Sequence, residues 1–156
     1  MGIKQWGLST INKELAIQLA KFPEMKITFF LPKCSQEYRN IALEHKAKIV
    51  QTTPLPPAFE QLDWFFFPPK DLQIDVIVGH GVKLGKQAQV IKDRKTCKWV
   101  QVVHSDPEEL WKGEEKRNTE VKLREMADHV IGVGPKLNQT FRSYVSSCNN
   151  DGNVFN

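Results

Sequence analysis

The sequence predicts an α/β fold, a Rossmann-like open parallel sheet with helices on both faces, as one domain over residues 1–156. Three observations carry that reading. Asp75-Val-Ile-Val-Gly-His-Gly81 is a short apolar run ending in a glycine turn, and the helical VKLGKQAQVIK follows at once, which is how a buried parallel strand passes into a helix. Trp99–Val103 repeats the pattern and ends in His104-Ser105-Asp106-Pro107, a cap and a first-turn proline for another helix. Apolar runs of strand length alternate with helix-length segments along the chain, the spacing of parallel crossovers.

The elements follow in order. Ser9 or Thr10 caps a helix whose Ile11, Leu15, Ala16, Leu19 and Ala20 share one stripe, and Lys26–Leu31 is a strand stopped by Pro32. Cys34-Ser35 opens a short helix to about His45, Lys48–Gln51 is a short strand, and the proline-rich Thr53–Pro57 continues neither. Leu62-Asp-Trp-Phe-Phe-Phe67, closed by Pro68-Pro69, reads as a lid packed on the sheet, with an acceptor-binding lip or a peripheral membrane contact as alternatives.

After the two strands already described, Pro107 to about Ala127 holds a mostly charged helix, loosened near Lys112-Gly113. Its Glu120 and Arg124 form an i,i+4 pair with an expected contribution of a few tenths of a kcal/mol. His129–Val133 is a strand, Gly134-Pro135 a turn, and Leu137, Phe141, Tyr144 and Val145 mark a last helix, broken by Asn149-Asn-Asp-Gly-Asn. The chain opens with the loop and helix that would follow a first strand, and closes as another begins at Val154-Phe155. The expectation is therefore a domain truncated at both ends. In the doubly wound order 3-2-1-4-5 the absent first strand belongs between KITFFL and DVIVGH.

Composition narrows the function classes. At 40% hydrophobic and 26% charged, 156 residues bury an ordinary core, and 22 basic against 18 acidic residues give a net charge of +4. Six basic residues lie between Lys83 and Lys98 against Asp93 alone. With nothing aromatic interleaved for base stacking, they read as a solvated helix face, with attraction of phosphate or an anionic surface as the alternative, and no nucleic acid partner is expected. Cys34, Cys97 and Cys148 are far apart, with no C-x-x-C pair and no His at ligand spacing, so reduced thiols and no metal site are expected. The N-terminal MGIKQWGLST has no apolar targeting core, and no run approaches the roughly 18 apolar residues of a membrane span, so the expected location is cytoplasmic.

His80 and His104 end adjacent strands at the carboxyl edge, where open α/β sheets bind ligands. Gly79-x-Gly81-x-x-x-Gly85 offers a second reading as a dinucleotide fingerprint. Its second interval is one residue too long, and His104 stands where the ribose-binding acid would be, so no cofactor is expected. Ser105 or Asp106 with Glu108 or Glu109 also fits an ordinary capping box.

In this order, GLSTINKELAIQLAK, KITFFLP, IDVIVGHG, KWVQVVHSDPEEL and EMADHVIGVGPKL resemble the N-terminal, acceptor-side domain of family 4-type glycosyltransferases of GT-B architecture, over about residues 6 to 147. The resemblance implies half of a GT-B fold and a part in transferring a sugar from a nucleotide-sugar to an acceptor hydroxyl. It implies that His104 is the catalytic histidine beside the transferred sugar, and that Gly7 approaches the donor phosphates. His80, Gly81 and Ser105 would contact substrate, with His80 on the acceptor. The loop Gln5-Trp6-Gly7-Leu8 has one glycine where the family often has two. In the family a C-terminal donor domain holds the nucleotide, so this half is expected to bind nucleotide-sugar only together with that domain. The alternative is a non-catalytic binding or signalling module, or a fragment of a longer protein.

Overall fold

The computed structural model describes residues 7–104, 114–134, 137 and 139. The expected capping box at Ser105–Glu109, the apolar face of the last helix beyond Gln139 and the strand at Val154-Phe155 lie outside the described residues. Two compact units divide the chain, Met1–Lys70 and Asp71–Asn156, and the ladders form two separate parallel sheets, one in each.

The first unit contains α1 (Gly7–Leu19), β1 (Thr28–Leu31), α2 (Gln36–Glu44), β2 (Lys48–Gln51) and a 3₁₀ helix over Gln61–Phe66. β1 and β2 run parallel from Thr28↔Lys48 to Leu31↔Gln51. α1 starts at Gly7, ahead of the expected caps Ser9 and Thr10, which therefore lie inside its first turn. Ala16 from its apolar stripe meets Phe29 and Ala42 in a small core walled by Ile27, Tyr38 and Ile49. Ser35 caps α2 as expected, its Oγ accepting from the Tyr38 N–H at 3.4 Å. This turn aims the Tyr38 ring edge-on at Phe29, with centroids 5.4 Å apart. A Lys13–Glu37 ion pair of 2.8 Å joins the two helices at the surface.

Part of the aromatic segment packs on the sheet of this unit. Glu60 and Asp63 cap it reciprocally, with the Glu60 N–H donating to Asp63 Oδ2 at 2.9 Å, and Phe65 packs edge-on against Phe30 of β1.

The second unit is a regular βαβαβ run: β3 (Val76–His80), α3 (Gly81–Arg94), β4 (Lys98–Val103), α4 (Glu114–Met126) and β5 (His129–Gly132). Its sheet is all parallel in the order β3-β4-β5. Central β4 is the most buried strand. Trp99 is fully enclosed and meets Ala88 of α3 and Leu123 of α4, with Ile77, Val82 and Ala127 around them. β3 was expected to be buried on both faces, but as an edge strand of this sheet it leaves Val76 54% exposed. Among the described residues no helix is long and apolar enough to cross a membrane.

Asp128 fastens the start of β5 to this core. Its carboxylate accepts from the Trp99 N–H at 2.8 Å, from Lys92 at 2.9 Å and from Lys98 at 3.2 Å, while its own N–H donates to the Trp99 carbonyl. The Trp99 N–H, then Lys92, hold its pKa well below the usual carboxylate range. Lys95 is also engaged, donating to the Leu72 carbonyl at 2.9 Å. Three of the six basic residues between 83 and 98 thus serve the unit's own packing rather than a free cationic face.

Candidate active site

Sequence dictates the local geometry at the end of β3. The strand delivers His80 as the N-cap of α3, and Gly81 then turns the backbone with φ +57°, a conformation that suits glycine because it has no Cβ. His80 makes no side-chain cap bond. Its ring lies beside that of His104, which follows directly on β4. Parallel register explains the meeting: His80 pairs with Val102, so His104 stands two residues beyond, on the same edge and the same face.

His80 Nδ1 and His104 Nε2 are 2.9 Å apart. His80 is 1% exposed, and burial followed by the charge of His104 lowers its pKa to about 4. The positive end of α3 beside it works in the same direction. His104 is half-buried, and burial lowers its pKa too, opposed by the negative charge of Glu120. Both imidazoles are therefore neutral at pH 7, suited to hydrogen bonding and proton acceptance rather than to holding an anion.

Behind the pair sits a residue that the sequence reading missed. Gln101 is fully buried and its Nε2 donates to the Gly81 carbonyl at 2.8 Å, pinning the turn that carries His80. A Cβ on Gly79 would come within 2.8 Å of Gln101 Oε1, and one on Gly85 within 2.9 Å of the same amide. Those two glycines make room for Gln101. This accounts for the Gly79–Gly81–Gly85 spacing without a dinucleotide. The available signal was the lone polar residue in the apolar run WVQVV.

A second missed feature lies on α4. Glu120 and Arg124 pair at 3.0 Å with residue exposures of 3% and 8%, so the expected weak surface pair is in fact a buried one. Glu120 is near enough for its charge to raise the His104 pKa against burial.

Of the expected site residues, the structure brings His80, Gly81 and His104 together in the second unit. Gly7 opens α1 in the first unit. Ser105 lies outside the described residues.

A family model described as GT4-conflict, Family 4 Glycosyltransferase in conflict systems, matches residues 2–156. No curated protein and no solved structure matches the chain.

Proposed function

Because the chain belongs to the family 4 glycosyltransferases of conflict systems, we propose that it forms the acceptor side of a sugar-transfer site, centred on His104 at the carboxyl edge of β4. The observation that supports this is the neutral His80–His104 pair, joined at 2.9 Å where two parallel strands end. His104 presents a hydrogen-bonding imidazole to a sugar or acceptor hydroxyl. Gly81 lies at the same edge, and His80 stands behind His104. The family resemblance, and not its placement in the first unit, assigns Gly7 a backbone contact with the donor's phosphates.

In such a transfer, negative charge grows on the leaving diphosphate and is offset by helix N-termini and cations placed in advance. Neither neutral histidine supplies that charge. The nucleotide-sugar is therefore assigned chiefly to a second, donor-binding domain, with His104 meeting the acceptor.

Transfer from a panel of UDP- and GDP-sugars, followed by mass spectrometry of the acceptor and by release of nucleotide, tests the proposal. His104→Ala is expected to lower transfer by about 10²-fold or more. Titration of the 156-residue chain with the same sugars is expected to show binding weaker than micromolar. A micromolar affinity, about −8 kcal/mol, would place the donor site within these residues and overturn the division of labour.

A further inference from the structure

The contact between His80 and His104 specifies more than proximity. The ring centroids are 5.2 Å apart and the planes 18° apart, while the facing nitrogens are separated by 2.9 Å. The centroid separation exceeds the nitrogen separation by about the two ring radii, so both nitrogens lie close to the line between the centroids. Since each nitrogen lies in its own ring plane, and the planes are nearly parallel, the imidazoles meet edge to edge. This is an in-line N–H···N hydrogen bond and not a face-to-face stack.

The distinction has chemical content. Stacked rings leave each tautomer free, whereas an edge bond requires one of the two facing nitrogens to carry a proton and the other to lack it. Once His80 is held in one tautomer, the tautomer of His104 follows, and so does the character of its remaining nitrogen, Nδ1. His80 is well placed to impose this choice. It is the N-cap of α3, it is 1% exposed, and its turn is pinned by Gln101. His104, beyond the last residue of β4, has more surface and fewer restraints.

We propose that His80 is a positioning residue for His104, fixing its ring plane and selecting its tautomer through the Nδ1···Nε2 bond. The assignment rests on reading His104 as the group that meets the sugar. Burial keeps His80 itself uncharged, so a proton accepted at this site stays on His104 and is not passed inward to His80.

Nitrogen-15 NMR of histidine-labelled chain tests this without any transfer assay. Wild type is expected to show His104 in one dominant tautomer and a scalar coupling between His80 Nδ1 and His104 Nε2 across the hydrogen bond. In His80→Phe, which fills the buried space without a nitrogen, the shift difference between the two His104 nitrogens is expected to collapse toward the average of mixed tautomers. His80→Asn, whose amide restores a polar partner, is expected to recover it. Where transfer is measurable, His80→Phe should lower kcat by about 10²-fold with KM little changed. A wild-type His104 lacking the coupling, or a folded His80→Phe with the wild-type tautomer, overturns the proposal. Absence of transfer activity in wild type would sink the functional reading and leave the NMR result standing.

Discussion

Gln101 Nε2 reaches from the middle of β4 to the Gly81 carbonyl at 2.8 Å, and this one bond holds the left-handed turn on which His80 is mounted. Gln101→Ala should therefore destabilise the protein by about 2–4 kcal/mol, combining a cavity beside Trp99 with an unpaired carbonyl. Gln101→Met keeps the volume and also removes Oε1, a buried acceptor with no hydrogen-bond partner. It should lose only about 1 kcal/mol. Urea denaturation measures both, and equal losses in the two variants would show that the bond shared by both deletions, and not the cavity, sets the loss.

Gly81 and Gly79, on either side of His80, should fail in different ways. At Gly81 a Cβ meets nothing within 4 Å, so Gly81→Ala is opposed only by φ +57°, at about 1–2 kcal/mol, and Gly81→Asn should be milder. At Gly79 the backbone is ordinary but a methyl would sit 2.8 Å from Gln101 Oε1 and 3.0 Å from Ala88 Cβ and Trp99 Nε1. Gly79→Ala should lower stability by about 1–3 kcal/mol through overpacking. It should also shift the His80 resonances by displacing the amide. A Gly79→Ala protein with wild-type stability and spectra would refute this account of the glycine spacing.

Much of this was legible in the sequence. DVIVGHG and KWVQVVH announced two parallel strands because apolar runs ended at turn residues, and parallel register then put both histidines on one edge. What the sequence left hidden depends on distance in space. Nothing in Glu120-x-x-x-Arg124 tells whether that stripe of α4 faces water or Trp99. Asp128 looked like one more charge before a strand, and its role appears only when β5 lies beside β4. Gln101 was visible as an odd polar residue, but its partner is twenty residues away and on the far side of a helix start.

Burial changes the expectation for Glu120 and Arg124. On a surface, either truncation would be nearly silent. Here, Glu120→Ala or Arg124→Ala leaves a buried charge without its mate and should lower stability by about 3–5 kcal/mol, whereas replacing both with apolar residues of similar volume should be close to neutral. Glu120→Gln carries an additional readout. Because the Glu120 charge holds the His104 pKa up against burial, its neutralisation should move the His104 titration midpoint further down. An upward movement would mean that Glu120 acts on His104 through structure rather than charge.

Stability should fall with acid in two separable steps, set by groups shifted for opposite reasons. The histidines are bases whose pKa is lowered by folding, so as pH drops below 6.5 the unfolded chain takes up protons first and the native state loses ground. For His80 the loss grows between pH 6.5 and about 4, to about 3 kcal/mol, and is then constant. Asp128 is an acid whose pKa is lowered, so its contribution is intact above the unfolded value of 3.8 and fades only as pH falls below it. His80→Phe should flatten the upper limb and leave the lower one, and Asp128→Asn should do the reverse while lowering the melting temperature at pH 7. The check is urea denaturation of wild type and both variants at intervals from pH 8 to pH 3. If Asp128→Asn flattens the limb above pH 4, the carboxylate is not held by Trp99, Lys92 and Lys98 as described, and its role as the fastening of β5 to β4 fails with it.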